Sequence, residues 1–462
     1  MMKRREFIKK TGLTTLLVCG PLLSCSGSRK KTRPNIIFML ADDQRWDTLG
    51  CMGNDIIQTP QLDQLANDGV LFKNHFVTYS YCAPSRASTL SGLYYDQHGI
   101  ARKREWKSEL FAKTYPVLLR EAGYYTGFIG KWHMGDTKEE AFDYSWMFSG
   151  QGSFFGMVPG DDRHLTKTMT DKALECIDTA GDQPFCLSIS YKAPHVDQGA
   201  EKAFDYDPEL ESLYENVTIP PPAVDDFENQ PDFIQNSEGR VRWHQRFATP
   251  ELYQQMVKGY YRLITGIDHS VGKITEHLKR KGLDQNTLII FTSDNGFFLG
   301  EHGLAGKWLM YEESIRTPLI VYDPRLNSDQ KGQVRDEMTL NIDIAPTIMH
   351  LAGVDIPDHI KGKSVVPLVQ NQKTHWRDAW FYQHYAYGGD PDARVYIPQS
   401  EGIRTERWKY IRYVGKDPVF EQLFDLKNDP HETKNLVFQT EFHDILSEMR
   451  NRFLSLKKEA TQ

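Results

Sequence analysis

A thiol, a guanidinium and a proline lie within five residues in Cys82-Ala83-Pro84-Ser85-Arg86. Pro84 suits a first helical turn, and Ala87 to Leu90 can continue it. Cys82 is therefore expected at a helix N-terminus, where backbone N–H groups and the positive dipole end favour anions. On this stretch alone, a buried structural cysteine fits equally well. Asp42, Asp43, Asp294 and Asn295 offer only oxygen ligands, the set preferred by hard cations such as Ca²⁺ and Mg²⁺. Paired histidines at zinc spacing and cysteine pairs are absent. Adjacent aspartates are common in turns, but two such clusters from distant parts of the chain are harder to dismiss. Lys131, His133, His195 and Lys307 are candidate charges and proton carriers. Each also fits an ordinary role, as a surface lysine, a satisfied core histidine or a solvated loop residue.

The elements that must position these residues share one grammar. Asn35 to Leu40 is a short, continuous apolar run without period-2 alternation, as in a strand buried on both faces. Asp42 and Asp43 follow it at once. Tyr125 to Ile129 precedes Lys131 and His133, Phe185 to Tyr191 precedes His195, and Thr287 to Phe291 precedes Asp294 and Asn295. In open α/β sheets, ligands bind at the carboxyl ends of strands, so these four ends predict one composite site. Helical segments lie between them. Thr59-Pro60 opens one that stops at Gly69, and Tyr115 to Ala122 stops at Gly123. Thr249-Pro250 opens a long one that stops at Gly282, and Ile344 to Ala352 stops at Gly353. Asp268 reads as a buried aspartate serving backbone, and Asp343 as an N-cap. The predicted fold is α/β, a large doubly wound, mainly parallel sheet flanked by helices. A small C-terminal α+β subdomain follows, with strand-like Ile403 to Tyr413 and a helical tail from Phe442 to Leu456. Proline-rich Pro208 to Thr249 reads as a surface excursion.

Cys82-Ala83-Pro84-Ser85-Arg86 followed by Leu90-Ser91-Gly92 resembles the signature of the type I sulfatases, of the alkaline-phosphatase-like superfamily. Further blocks similar to that family recur in order. They are Asp42-Asp43-Gln44, Gly130-Lys131-Trp132-His133, Ala193-Pro194-His195, Ser293-Asp294-Asn295-Gly296, Gly300-Glu301-His302-Gly303 and Lys307. The resemblance runs from about Pro34 to Leu423-Phe424-Asp425-Leu426. It implies that Cys82 is oxidised to Cα-formylglycine, and that Asp42, Asp43, Asp294, Asn295 and the modified Cys82 bind one Ca²⁺. It also implies that hydrated formylglycine attacks sulfur and displaces the alcohol. A sulfate ester builds charge on its non-bridging oxygens and leaving alkoxide, so fixed positive charge and a proton donor are needed. Arg86, Lys131 and Lys307 supply the charge, His195 the proton to the leaving oxygen, and His133 the base that regenerates the aldehyde. A maturing enzyme that forms formylglycine is then an obligate partner. A sulfated carbohydrate is the expected substrate, and His302, Arg102, Arg104, Arg242, His244 and His384 are its candidate contacts. A solvated face is the commoner reason for the basic run around Arg242, and His302 also fits a role shaping its loop. The rival readings are a phosphate or phosphonate ester hydrolase of the same superfamily and a non-catalytic glycan-binding lipoprotein.

The 462 residues exceed one compact core, and the net charge of −7 argues against a nucleic-acid partner. The first thirty residues read as an export signal and tether rather than fold. Arg4-Arg5 before Phe7-Ile8-Lys9 resembles a twin-arginine signal, and Leu22-Leu23-Ser24-Cys25 resembles a lipobox with Cys25 as lipid anchor. Cleavage without lipid is the alternative. The expected organisation is 1–30 signal and tether, 31–372 catalytic domain and 373–462 C-terminal subdomain. The expected location is the periplasm, or a membrane through the anchor, of a bacterium. Cys51, Cys176 and Cys186 leave an odd remainder and imply no disulfide framework.

Overall fold

The run Asn35–Ala41 forms β1, buried at every position, in the centre of a large sheet. The computed structural model describes residues 33–100, 106–197, 202–224, 226–385 and 395–462. The predicted signal with Arg4, Arg5 and Cys25, and the candidate contacts Arg102 and Arg104, lie outside the described residues. Along the chain β1 is followed by β2 (Val70–Phe76), β3 (Tyr125–Lys131), β4 (Tyr144–Phe148), β5 (Phe185–Ser190) and β6 (Thr287–Ser293). A short ribbon of β7 (Phe298–Leu299) and β8 (Ala305–Gly306) precedes β9 (Arg316–Tyr322), β10 (Gln333–Arg335) and β11 (Thr339–Leu340). In space the main sheet runs β10-β2-β9-β6-β1-β5-β3-β4, with β11 also on β2. All its pairings are parallel except those of β9, which runs against β6 and β2.

Alternation along β1 sends Ile37, Met39 and Ala41 to one face and Ile36, Phe38 and Leu40 to the other. The first face is covered by the helices Pro60–Asp68, Leu165–Ala180 and Pro250–Lys281. The second is covered by Cys82–Ser91, Tyr115–Glu121 and Ile344–Ala352. Helices on both faces make the sheet doubly wound, as its two-sided apolar strands require. The long helix has the predicted ends. Thr249 Oγ1 accepts the Leu252 N–H at 3.2 Å, and Gly282 closes the helix at φ 70°. Its Asp268 accepts the Leu62 N–H at 2.8 Å, serving backbone as expected.

Three readings need correction. Pro208 to Thr249 is not a surface excursion, because Ile219, Ile234 and Phe247 are buried. The segment also folds a helix, Glu238–Arg246, against β8. Asp343 makes no side-chain cap to the helix that follows it. It accepts the N–H groups of Leu340 at 2.8 Å and Lys363 at 2.7 Å and pairs with Arg377, so it ties three loops instead. The C-terminal tail is longer than predicted, as the helix His443–Thr461.

A second sheet is antiparallel throughout, in the order β12 (Ala379–His384), β13 (Ser400–Thr405), β14 (Trp408–Tyr413) and β15 (Phe420–Asp425). One face carries Phe381, Ile403, Tyr410 and Leu423 under the C-terminal helix. The other packs Trp380, Tyr382, Ile411 and Phe424 against Phe76, Met310 and Tyr311 of the main body. A buried ionic joint crosses this boundary. The Lys409 ammonium lies 2.9 Å from Glu312 and 2.6 Å from Glu432, and Arg404 lies 3.1 Å from Glu312. Removing one member strands charge in low dielectric. Lys409→Met is therefore expected to lower the unfolding free energy by roughly 3–5 kcal/mol, measured by urea denaturation. An unchanged midpoint would show that the joint contributes nothing.

Candidate active site

The ends of β1, β6, β3 and the segment after β5 converge. Asp42 and Asp43 leave β1, and the Asp42 N–H donates to Ala193 O at 3.0 Å. The Asp43 N–H donates to Asp294 Oδ1 at 3.1 Å, so the β1 and β6 ends are stitched together. Tyr260 of the long helix donates its hydroxyl to Asp43 O at 2.6 Å and fixes the turn from behind. Lys131 ends β3. Gly130 before it has φ 102°, and a Cβ there would stand 2.3 Å from Ser190 O. Only glycine lets β3 lie that close to β5 while turning Lys131 inward.

Cys82 begins a helix whose ten residues are all buried, as predicted for its position. Its Sγ lies 3.0 Å from Lys307 Nζ and 3.4 Å from Asp42 Oδ1. Arg86, one turn on, donates through Nε to Asp294 Oδ2 at 2.8 Å and through Nη1 to Lys131 O at 2.9 Å, and lies 3.3 Å from Asp42. Lys131 Nζ contacts Asp42 and Gln151, and Lys307 Nζ contacts Asp43. The three carboxylates Asp42, Asp43 and Asp294 are thus matched by three cations, all essentially sealed from solvent. Burial pushes Asp42 up, yet Lys131, His195, Arg86 and Lys307 together hold it well below the ordinary carboxylate range. Burial and the Asp42 charge push the Cys82 thiol up to about 12 against Lys131 and Lys307. As a plain thiol it stays protonated and is a poor nucleophile.

His195 Nδ1 lies 2.7 Å from Val196 O. A carbonyl only accepts, so the ring hydrogen sits on Nδ1 and Nε2 is the free nitrogen, 3.6 Å from Asp43 Oδ2. Burial, then the surrounding lysines, hold His195 well below the usual imidazole range, and burial with Lys131 and Arg86 does the same for His133. His133 is buried with its Nδ1 unpartnered.

Ligand atoms of Asp42, Asp43, Cys82 and His195 all lie within 4.8 Å of one another, so a metal could be held here. Asp294 and Asn295 adjoin them, Asn295 Nδ2 donating to Asp43 at 2.6 Å. Asn295 Oδ1 is buried with no donor. Converging carboxylates and an orphaned amide oxygen are the donor set of a hard cation, so these residues fit Ca²⁺.

The other candidates are dispersed. Arg242 pairs with Glu238 at 2.6 Å and lies over the Trp308 ring at 4.7 Å. His244 is exposed beside Trp243. His384 is fully buried with its ring 5.0 Å from Tyr79. His302 is also fully buried, with Nδ1 2.9 Å from Asp226 and Nε2 3.8 Å from Glu313, and it shapes its loop. Sequence reasoning missed Ser190, whose hydroxyl meets Arg86 and donates to Lys131 O at 2.9 Å. It also missed Lys192, which is buried over the Phe154 ring, and Gln151. Lys192 directly precedes Ala193-Pro194-His195, a signal that position alone offered.

Fold and site together define a hydrolase of the alkaline-phosphatase-like superfamily. The sequence profile described as Sulfatase matches residues 34–354, and one described as N-sulphoglucosamine sulphohydrolase, C-terminal, matches 300–459. The chain is 29% identical to an N-acetylglucosamine-6-O-sulfatase of Bacteroides thetaiotaomicron, over 94% of this chain and 89% of that protein. It is 27% identical to an arylsulfatase of Clostridium perfringens, over 90% and 93%. A solved structure, described in complex with its substrate D-glucosamine-2-N,6-O-disulfate, is 28% identical with a TM-score of 0.82, covering 93% of this chain and 98% of that one. The phosphonate monoester hydrolase of Agrobacterium radiobacter shares the fold, with a TM-score of 0.79 at 22% identity, covering 93% and 96%. The chain belongs to the sulfatase family, as a type I sulfatase, and is a sulfuric ester hydrolase.

His302 generates a pH prediction. Burial pushes its imidazole down, but Asp226 and Glu313 override this and raise it to about 10. Such a raised group stabilises the fold fully below the ordinary histidine value of about 6.5 and loses that contribution as pH climbs through 10. The stability advantage of wild type over His302→Gln should therefore shrink between these limits in urea titrations. A constant difference across that window would show that His302 is not held as a cation.

Proposed function

We propose that the protein removes sulfate from a sulfated saccharide, with Cys82 converted to formylglycine and one Ca²⁺ held by Asp42, Asp43, Asp294 and Asn295. The observation that carries this reading is the place of Cys82. A buried thiol kept protonated lies 3.0 Å from a lysine and 3.4 Å from a carboxylate of a hard-cation donor set. Oxidation and hydration of Cys82 would supply an oxygen nucleophile in place of an inert thiol. A Ca²⁺ on the four oxygen ligands would supply positive charge beside it. Lys131 and Lys307 offer ammonium groups to the non-bridging oxygens of a sulfate seated at Cys82. His195 turns Nε2 toward the cluster; an arriving sulfate offsets the lysine charge that helps keep the ring neutral, so Nε2 takes up a proton and then delivers it to the leaving oxygen. His133, buried with a free Nδ1, serves as the base. Arg86 positions the helix N-terminus by holding Asp294 and Asp42.

A saccharide is favoured by the relatives. One is named for 6-sulfated N-acetylglucosamine, and another was solved with a disulfated glucosamine. The Cys82–Ser91 helix is wholly buried, so the maturing enzyme must meet Cys82 in an extended segment before the fold closes. A twin-arginine signal at Arg4-Arg5 would export the chain folded, placing that modification in the cytoplasm, before anchoring at Cys25.

Sulfate release from N-acetylglucosamine 6-sulfate and related saccharides tests the function. Mass analysis of the peptide containing Cys82 should show replacement of the thiol by an aldehyde. Chelation and Asp294→Ala should each abolish turnover while the fold survives. Lys307→Ala should lower kcat by about 10²–10³, the usual effect of losing one charge-stabilising group. An active enzyme that retains the thiol would overturn the nucleophile, and turnover indifferent to both chelation and Asp294→Ala would overturn the metal.

A further inference from the structure

Arg246 ends the Glu238–Arg246 helix and is only 7% exposed. Among the described residues nothing engages its guanidinium by hydrogen bond or ion pair, and Nη1 is sealed from solvent without an acceptor. Its helical neighbour one turn earlier behaves differently. Arg242 is paired with Glu238 at 2.6 Å and spread over the Trp308 ring. The two arginines share a helix face by their spacing of four. Their helix packs on β8, the strand that delivers Lys307 to within 3.0 Å of Cys82 Sγ. Arg246 thus lies one helical turn beyond the arginine that covers Trp308, the residue next to Lys307. The Asp43 carboxylate reaches it electrostatically. Burial and Arg242 bring the guanidinium down to about 9 against the opposing pull of Asp43 and Glu238.

A buried cation without a counter-charge is costly, and arginine offers a rigid fork matched to oxyanions. A guanidinium that is nine-tenths buried with no protein acceptor for Nη1 is therefore read as a recognition feature. It is also separate from the interlocked charges at Cys82. Arg86, Lys131 and Lys307 each pair with Asp42, Asp43 or Asp294, whereas Arg246 pairs with none of them. The net charge of −7 supplies no general attraction for anions, so binding them falls to local groups of this kind.

We propose that Arg246 binds a second oxyanion of the substrate, a sulfate or a carboxylate on the same saccharide but apart from the sulfate at Cys82. The preferred substrate is then a doubly anionic saccharide. This inference rests on the saccharide sulfatase reading above.

Three probes test it: glucosamine 6-sulfate, D-glucosamine-2-N,6-O-disulfate, and 6-sulfated glucosamine joined to a uronic acid. Wild type should favour one of the two doubly anionic probes in kcat/KM, and which one distinguishes sulfate from carboxylate. Arg246→Gln should reduce that preference roughly 30-fold or more, mainly through KM, and Arg246→Lys should restore part of it. The melting temperature of Arg246→Gln should equal or exceed that of wild type, because an unpaired buried charge has been removed. A structural arginine would instead lower the melting temperature and leave the preference intact, and either result overturns the proposal. Calorimetry on Cys82→Ala protein, with and without Arg246→Gln, measures affinity for the same doubly anionic probes without turnover. Should wild type release sulfate from no saccharide, the functional reading fails on its own. Equal affinities with and without the guanidinium then reject the role of Arg246, and a lost affinity upholds it.

Discussion

Three carboxylates face one another without solvent at the carboxyl ends of β1 and β6, and the architecture around them follows from the need to neutralise them. Unpaired charges in such a place are prohibitive, so each is paired and hydrogen-bonded. Arg86 bridges Asp294 and Asp42, Lys131 takes Asp42, and Lys307 takes Asp43. The backbone takes part as well, since the Asp43 N–H is bound to Asp294. Each cation comes from a different stretch of chain, so neutralisation forces the Cys82–Ser91 helix, β3 and the segment after β8 to meet at one point. The site charge is thereby set before any ligand arrives, which is the preorganisation that charge-developing reactions exploit.

Parallel order is what makes such a meeting inexpensive. β1 lies between β6 and β5, and β5 lies against β3, with these neighbours running the same way. Their carboxyl ends therefore open on one side of the sheet, although Asp42 and Asp294 are separated by most of the catalytic sequence. Register completes the arrangement. Ala41 pairs with Ser293 and Leu40 with Ser190, so the polar residues that follow emerge at one level. Antiparallel β9 is the exception that brings the chain back between β6 and β2.

Those same parallel strands were the legible part of the fold. β1, β3, β5 and β6 are apolar on both faces, and burial on both faces is the one condition that produces continuous runs. β2 and β9 were not legible. β2 carries Lys73 and Asn74 in its middle and has a register irregularity between Phe72 and His75. β9 contains Pro318, which argues against a strand until its neighbours are known. The helix Leu165–Ala180 was hidden by four threonines, poor helix formers whose placement depends on packing. Cys82, Asp42, Asp43, Lys131, His195 and Lys307 were readable because each follows a strand end or sits in a distinctive block. Ser190 and Arg246 were not, since a serine in a strand and an arginine in a basic run become informative only through what surrounds them.

Backbone strain explains how adjacent residues serve the same pocket. In an extended strand neighbours point to opposite faces, so Asp42 and Asp43 could not both turn inward. Asp43 escapes that alternation with φ 69°, and His133 does so with φ 55° just after Lys131. Trp308, next to Lys307, stands at φ 85°, and His302 at φ 56°. Asp43, His133 and Trp308 lie in or beside the site, three of the seven non-glycine residues with positive φ among the described residues, so strain recurs where side chains must converge. Asp43, Trp308 and His302 are each held by more than their own turn. Tyr260 and Asp294 grip the Asp43 backbone, Tyr382 donates to Trp308 O at 2.6 Å, and Asp226 pins His302. Tyr382 belongs to the second sheet, so the C-terminal part of the chain braces the turn that presents Lys307. The second sheet is therefore part of the site's support, and the apolar face that docks it serves the chemistry as directly as the strands that carry the ligands.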